Sequence, residues 1–450
     1  MGQEQEKRLD EERNDQMEST AEERHHHSHH HHSHKRQSGK HHKSSRRRSK
    51  TKRLIKEKKH FVINVVVIVL AILVVVAVCM IKFPEQGDKT KGSDTDKTGG
   101  NGAQTTTSSI QMEVPYFANE VCLIHSSARG FTNANVTVSV VQLAEQYKEK
   151  GIRLDVGIPV KISFSATGIP VGCSVINTTV EISENADFAD VRSFTLKDGE
   201  QSVDVYHLKT GMQYHYRIRL TLSDKSVTSV QGSFQTADTP RILSIEGIVN
   251  VRDIGGWKTT DGRIVQQGLL YRGSELDGAV NPAYKLTGKG LSDMLTVLGI
   301  RTDMDLRAEN EIPQKSSALG ANVKYMNYPI SMYENVFKEN NREKMRQIFA
   351  ELADPKSYPI YMHCTYGVDR TGTICYLLEA LLGVSEQDLI REYRLSALYH
   401  ETISEEQMKA FTDTLNGIQG ETVQEKAENY LLSIGVTAEE IAAIREIFLS

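Results

Sequence analysis

The sequence predicts three structural units: an α/β domain whose central sheet is flanked by helices, an all-β sandwich before it, and one transmembrane helix. Strand-like and helix-like runs alternate through residues 240–450, which is typical of an α/β domain. Short alternating apolar runs, separated by turn residues, fill residues 110–239 and indicate half-buried strands. A nearly unbroken apolar stretch within residues 60–82 indicates a membrane span.

Residues 1–59 are predicted to be a disordered cytoplasmic tail, because almost no apolar side chains are present to form a core. Histidines are concentrated between His25 and His42, and both a solvated tract and a divalent-metal role stay open. Lysine and arginine dominate residues 35–59, directly before the apolar stretch. Anionic lipid headgroups are therefore the expected partner of this basic run, and no nucleic acid partner is expected.

The apolar stretch Phe61–Ile81 contains twenty-one residues, of which Asn64 is the only strongly polar one. At about 1.5 Å per residue, a helix of this length crosses a hydrocarbon core of about 30 Å. Positive charge is far denser on its N-terminal side, which predicts a single-pass protein of the cell membrane whose later domains are extracytoplasmic. Residues 83–109, rich in Gly, Ser and Thr, are expected to form a flexible tether.

The predicted β module carries one informative motif, Leu-x-x-Gly-x-x-Tyr at residues 208–214. It resembles the tyrosine corner of fibronectin type III domains, in which the tyrosine hydroxyl caps the backbone at a sandwich edge. Residues 136–140 and 160–164 alternate as strands do, and residues 232–236 fit a closing strand. The resemblance implies a fibronectin-like spacer or adhesion module, with substrate recruitment left open.

The five cysteines are too few and too scattered for a disulfide scaffold. Cys122 and Cys173 are both predicted to be extracytoplasmic, where a disulfide can persist. A disulfide between them and a pair of buried thiols are both open at this point.

Residues 363–373 read His-Cys-Thr-Tyr-Gly-Val-Asp-Arg-Thr-Gly-Thr and lie between a strand-like run and a helical run. Successive backbone N–H groups of residues 365–370, together with the helix N-terminus, can form an anion-binding nest. Arg370 adds a bidentate fork for two phosphate oxygens, and the same positive field holds Cys364 as the reactive thiolate. The residues expected to contact the phosphate are Thr365, Tyr366, Gly367, Val368 and Arg370.

The pattern His-Cys-x-x-Gly-x-x-Arg-Thr resembles the signature of the cysteine-dependent protein tyrosine phosphatases, and is most similar to a bacterial group with HCxxGKDRTG. The resemblance implies that Cys364 attacks phosphorus and that water then hydrolyses the phosphocysteine. Arg370 and the loop amides stabilise the equatorial oxygens. The hydroxyl of Thr371 is expected to hydrogen-bond the sulfur, and no metal or organic cofactor is expected.

The resemblance extends over residues 240–450, beyond the loop itself. Residues 250–256 resemble the NFRDLGG element of the same group, residues 268–276 its GLLYRSxxL segment, and residues 298–307 its LGIRTVIDLR strand. The segment at residues 430–441 also fits.

Five charged residues are candidate supports for the loop. Arg252 and Asp253 precede a Gly-Gly turn, where they either pack beside the loop or form a structural ion pair. Asp305 and Arg307 end a predicted strand, from which side chains can face a cleft. His363 is expected to orient the loop through hydrogen bonds.

The general acid is not fixed by the motif. A tyrosine leaving group, with a pKa of about 10, needs a proton as its bond to phosphorus breaks. The Trp-Pro-Asp of the wider family is absent, and Ile330 stands where the bacterial group places an aspartate. Asp369 within the loop is the stronger candidate, and Glu334 is the second.

The sequence therefore predicts a membrane-anchored extracytoplasmic phosphatase of phosphotyrosine-like monoesters, acting on a phosphorylated protein or a small phosphate ester. Val368 replaces the lysine of the bacterial group, which disfavours multiply phosphorylated substrates. Two alternatives stay open: a phosphoinositide or inositol-phosphate phosphatase, and a surface adhesion or phospho-ligand-binding protein with negligible turnover.

Overall fold

The computed structural model describes residues 110–128, 140–238, 240–399 and 403–449. The predicted tail (1–59), membrane span (60–82) and tether (83–109) lie outside these residues. Within the described ranges, no helix combines the length and the apolar character needed to cross a bilayer.

The described part of residues 110–238 forms two antiparallel layers around a common core. A four-stranded sheet has the order β5-β4-β7-β8, and the pairs β2–β6 and β1–β3 lie beside it. Buried residues of β2, β4, β6 and β7 share one apolar cluster, so the layers pack as a sandwich. The strands are β1 (Gln111–Glu113), β2 (Val160–Ser163), β3 (Ser165–Thr167), β4 (Val175–Ser183), β5 (Arg192–Leu196), β6 (Ser202–Val205), β7 (Gln213–Leu222) and β8 (Val227–Gln235).

Strand β7, which lies between β4 and β8, shows why this segment folds as a sandwich. Its side chains alternate between buried and less buried positions from end to end, as a strand with one face on a core requires. The hydroxyl of Tyr214 accepts a hydrogen bond from the backbone N–H of Lys209 at 2.9 Å. This is the contact that the tyrosine-corner motif predicts, while assignment to the fibronectin family stays a prediction.

The prediction of an all-β module is wrong, because helix α1 (Val140–Glu149) lies within it. Of the strand predicted at residues 136–140, only Val140 is described, and there the helix begins. The residues that follow, including glutamine, alanine, glutamate and lysine, favour helix. Helix α1 packs against residues 395–398 of the following domain. Leu154, just after the helix, is buried in the core of that domain.

The disulfide alternative is not realised in the structure. Cys122 and Cys173 are both half-buried free thiols. The thiol of Cys122 donates to the carbonyl of Ile124 at 3.2 Å, and the Cys173 sulfur lies 3.7 Å from a carboxylate oxygen of Asp224.

The C-terminal part is an α/β domain, as predicted. Its six-stranded sheet has the order β13-β12-β14-β11-β10-β9, in which β11, β14, β12 and β13 run parallel. The strands are β9 (Arg241–Ile242), β10 (Arg252–Asp253), β11 (Leu270–Gly273), β12 (Thr302–Asp305), β13 (Lys324–Asn327) and β14 (Ile360–His363). The α-helices are α2 (Gly288–Ser292), α3 (Glu339–Leu352), α4 (Asp369–Leu382), α5 (Glu386–Arg394), α6 (Glu405–Asn416), α7 (Val423–Ser433) and α8 (Ala438–Leu449).

Short helical turns join several of these elements. The 3-10 helices are Glu309–Glu311, Tyr333–Phe337, Pro355–Ser357 and Leu395–Leu398, and the π-helical segment Asp293–Val297 continues α2.

The middle of the sheet positions the predicted loop. Strand β14 lies between β11 and β12, and all four of its residues are buried. Helix α4 is buried from Thr371 to Leu382 and ends at Gly383 in the left-handed conformation. The loop that joins β14 to α4 therefore lies at the carboxyl end of a central parallel strand, where open α/β sheets bind ligands.

Candidate active site

The loop between β14 and α4 contains Cys364 as its first residue, and α4 begins at Asp369. Gly367 has φ +68°, in the left-handed region, and an added Cβ would lie 2.2 Å from the carbonyl oxygen of Gly273. Only glycine fits such a position without displacing the neighbouring backbone. The motif glycine thus lets the loop turn against β11.

Three hydrogen-bond donors bind backbone carbonyls of the loop. They lie behind the loop, which here means the side opposite the expected phosphate. The backbone N–H of Glu275 donates to the carbonyl of Thr365 at 3.0 Å. Asn250 Nδ2 donates to the carbonyl of Tyr366 at 3.1 Å, and Arg272 Nη2 donates to that of Gly367 at 2.7 Å. With these carbonyls occupied behind the loop, the loop amides are left for the opposite, concave side. This is the arrangement that the predicted anion nest requires.

Arg252 belongs to the same support behind the loop. Its guanidinium donates to Glu392 Oε1 at 2.6 Å and to Asn250 Oδ1 at 2.5 Å. Glu392 also accepts from Arg272 at 2.7 Å. Although burial opposes it, the two arginines lower the pKa of Glu392. Arg252 therefore lies beside the loop and also forms a structural ion pair. Both alternatives that the sequence left open for this residue apply.

Asp253 contributes to the domain interface rather than to the loop. Its carboxylate accepts from Arg241 Nη1 at 2.6 Å and from the backbone N–H groups of Gly255 and Gly268. Arg241 also donates to the carbonyl of Leu208 in the β module. Of the two alternatives left open for Asp253, the structure contains the ion pair, and none of these contacts of its carboxylate involves the loop.

His363 anchors the start of the loop from below. Its Nε2 lies 2.9 Å from Asp303 Oδ1, and its Nδ1 lies 3.2 Å from the carbonyl oxygen of Cys364. Burial alone would lower the pKa of His363, but the carboxylates of Asp305 and Asp303 raise it to about 9. The imidazolium is the form favoured at neutral pH, and it is placed directly behind Cys364.

Asp305 and Arg307 form a buried network below the loop instead of facing an open cleft. Arg307 pairs with Asp305 at 2.8 Å, with Glu275 at 2.6 Å and with Asp277 at 2.9 Å. Asp305 and Arg307 are 0% and 3% exposed. They therefore support the loop indirectly. They contact Glu275 and His363, and these two residues contact the loop backbone.

Arg370 is held by a carboxylate that sequence reasoning missed. Glu311 Oε2 accepts from Nη1 of Arg370 at 2.5 Å, and Oε1 accepts from Nη2 at 3.0 Å. The hydroxyl of Thr365 donates to the same carboxylate at 3.2 Å. The bond from Arg370 lowers the pKa of Glu311. The Nε side of the guanidinium makes no hydrogen bond with a described residue, which leaves this edge for phosphate oxygens.

Asp369 is held in place by a tyrosine pair. The hydroxyl of Tyr333 donates to its carboxylate, and the hydroxyls of Tyr333 and Tyr393 lie 2.8 Å apart. Burial and the charge of Asp369 raise the pKa of Tyr333, so its hydroxyl keeps its proton. Glu334 instead accepts from Asn335, and no hydrogen bond joins it to a described loop residue.

The remaining loop residues differ from expectation in two respects. The hydroxyl of Thr371 is buried without a hydrogen-bond partner among the described residues, so its predicted bond to Cys364 is absent. Val368 is 1% exposed and packs in the core, so only its backbone can reach a phosphate. Tyr366 is half-buried beside Tyr284, with ring centroids 5.8 Å apart.

Burial of Cys364 is consistent with a nucleophile at the base of the loop. It is 2% exposed, whereas the Arg370 side chain is 13% exposed. Burial opposes a rise in the pKa of Arg370, but the hydrogen bonds that its guanidinium donates to Glu311 raise it.

Replacing Glu311 by glutamine is expected to lower kcat/KM for p-nitrophenyl phosphate by about tenfold. The neutral amide no longer aligns both ends of the Arg370 guanidinium, and small misplacements of a positioning group are costly. Glu309→Gln is the matched control, since Glu309 lies on the same short helix and, among the residues that the structure describes, forms an ion pair with the exposed Lys315 alone. Equal kinetics for the two variants would show that Glu311 does not position Arg370.

The His363→Gln variant is expected to reveal a pH-dependent contribution to folding stability. The folded-state pKa of about 9 lies above the ordinary value of 6.5, so the imidazolium stabilises the protein fully below pH 6.5. That contribution is lost as the pH rises through about 9. The difference in free energy of unfolding between wild type and variant should therefore shrink over this window. A difference independent of pH would contradict the charged assignment.

Parts of the chain are similar to known proteins. Residues 243–450 match the family described as the tyrosine phosphatase family. A provisionally named tyrosine-protein phosphatase of Cupriavidus necator is 29% identical over 177 residues, which cover 34% of this chain and 61% of that protein. A tyrosine-protein phosphatase of Nostoc commune is 28% identical over 130 residues, which cover 24% of this chain and 44% of that protein. The chain thus spans less than two thirds of the length of either relative.

Two solved structures are also similar. One is the core catalytic domain of the PP-IP phosphatase SIW14 from S. cerevisiae in complex with citrate, at 18% identity and a TM-score of 0.23, covering 32% of this chain and 81% of that one. The other is the Siw14 catalytic core, at 15% identity and a TM-score of 0.26. This match covers 43% of this chain and 98% of that one. The family match is confined to residues 243–450, and both curated relatives carry the name tyrosine-protein phosphatase.

Proposed function

We propose that residues 240–450 hydrolyse phosphotyrosine-like monoesters through a phosphocysteine intermediate on Cys364. The observation that carries this proposal is the set of three loop carbonyls held from behind, at residues 365, 366 and 367. With them fixed, the amides and Arg370 surround the position above the sulfur before substrate arrives. Donors that are preorganised in this way stabilise the charge on a transferring phosphoryl group.

In the first step, the Cys364 thiolate attacks phosphorus and the ester oxygen leaves with the bonding electron pair. The free edge of Arg370 and the loop amides bind the equatorial oxygens. Asp369, in its protonated form, gives its proton to the departing oxygen. In the second step Asp369 accepts a proton from water, which attacks phosphorus and releases phosphate and the thiolate.

Asp369 is the proposed acid because the loop and two tyrosines fix its position. Tyr333 donates to one carboxylate oxygen, which leaves the other oxygen to carry the transferable proton. Glu334 points to Asn335 and has no comparable restraint toward the loop.

The proposed substrates are a phosphorylated protein or a small phosphate ester. Val368 occupies the position at which the bacterial group has lysine, and its side chain is buried in the core. The loop therefore lacks the extra cation that a second phosphate group would use at that position.

We further propose that the enzyme is anchored in the cell membrane by residues 60–82, with the catalytic domain extracytoplasmic. The apolar length of that stretch and the basic run before it support this orientation. Anionic lipid headgroups are the proposed partner of the basic run. The tyrosine-corner contact of Tyr214 supports a fibronectin-like origin for the β module.

Cys364→Ser is expected to lower hydrolysis of p-nitrophenyl phosphate by at least about a thousandfold, because the hydroxyl is a far weaker nucleophile here. Cys173→Ser is the control, since Cys173 is a half-buried thiol of the β module, and this variant should retain wild-type activity. Equal hydrolysis by wild type and Cys364→Ser would remove the proposed mechanism.

Asp369→Asn is expected to reduce kcat by a factor that is larger for poorer leaving groups. With phenyl phosphate, whose phenol has a pKa of about 10, the loss should be about a hundredfold. With p-nitrophenyl phosphate, whose phenolate departs more readily, the loss should be far smaller. Glu334→Gln is the matched control and should show no such dependence. Similar losses on both substrates would exclude Asp369 as the general acid.

A further inference from the structure

A groove of about 610 Å³ lies between the β module and the phosphatase domain. One wall is formed by helix α1 and the residues that follow it, including Ile152. The other wall is formed by Tyr284, Leu398 and Tyr399. Because Leu154 and helix α1 pack against the phosphatase domain, both walls belong to one packed interface.

The groove is connected to the phosphate loop through aromatic rings. Tyr284 lines the groove, and its ring stands almost perpendicular to that of Tyr366 in the loop, at 80° and 5.8 Å between centroids. Tyr399 lines the groove on the other side of Tyr284, again at 5.8 Å, and the two hydroxyls are hydrogen-bonded. A molecule bound over the loop could therefore extend along these rings into the groove.

The charges along the groove do not favour a polyanion. Arg153 makes two bonds to Asp155, at 3.0 and 2.5 Å, so its guanidinium is already paired. Glu145 and Lys148 add one charge of each sign. Ile152 is 38% exposed at this site and offers apolar surface. A lining with balanced charge, tyrosines and aliphatic side chains suits a peptide side chain better than a second phosphate.

We propose that this groove is a second substrate subsite, which binds an apolar or aromatic side chain of a phosphotyrosine peptide. The proposal rests on the function proposed above and specifies its substrate class. An extended peptide advances about 3.3 Å per residue, so a side chain about three residues from the phosphotyrosine lies about 10 Å along the chain, a distance comparable with the two centroid steps of 5.8 Å that lead from Tyr366 to Tyr399. The β module thereby contributes directly to substrate choice.

Kinetics of the full chain in detergent test this subsite with two substrates. One is a phosphotyrosine peptide with leucine three residues from the phosphotyrosine, and the other is p-nitrophenyl phosphate. Ile152→Glu places a charge on the apolar wall and should lower kcat/KM for the peptide by about tenfold, with the aryl phosphate unchanged. The matched control is Val171→Glu, an exposed apolar residue of the same module outside the groove, which should change neither.

A comparison of substrate peptides with the wild-type protein gives a second measurement of the subsite, and it needs no protein variant. Glycine in place of the peptide leucine, on whichever side of the phosphotyrosine binds better, should lower kcat/KM by about tenfold. Unchanged peptide kinetics in both experiments, with aryl phosphate still hydrolysed, would overturn the subsite alone. Hydrolysis of neither substrate by the wild type would overturn the phosphatase function and the subsite together.

Discussion

The hydrogen bond from Arg272 to the carbonyl of Gly367 fixes the geometry on which the site depends. Arg272 is fully buried, and Glu392 balances its charge at 2.7 Å. Because Glu392 also binds Arg252, one carboxylate serves two buried arginines, and its removal would leave both guanidinium charges behind the loop without their ion-pair partner. A buried ion pair is a costly way to stabilise a fold, but here it orients peptide groups that must bind an anion. The loop is thus preorganised by side chains that never touch the substrate.

The β module and the phosphatase domain are joined by polar contacts as well as by the groove. Arg241 bonds Asp253 on one side and the carbonyls of His207 and Leu208 on the other. Gln267 accepts from Thr210 and donates to its carbonyl. A module that served only as a spacer would need none of these bonds. They join residues 207–210 of the module to the catalytic domain, while α1 packs separately against residues 395–398.

The loop could be predicted from sequence because its chemistry is local: the nucleophile, the glycine and the arginine lie within seven residues. A role for Arg272 could also have been predicted, since this residue lies in a segment that resembles the bacterial group. A role for Glu311 could not, because its contact with Arg370 depends on the tertiary placement of a short helix. Helix α1 was missed because valine alternation favours a strand locally, whereas packing against residues 395–398 stabilises a helix.

In the proposed mechanism, the phosphoryl group passes through a covalent bond to the sulfur of Cys364. Mass spectrometry of the protein, quenched with acid during turnover of an aryl phosphate, tests it directly. The account predicts a phosphoryl group on the peptide that contains Cys364, and an increased amount of it in Asp369→Asn, in which water activation is slowed. Turnover without phosphorylated Cys364, or with the phosphoryl group on another residue, would contradict the account.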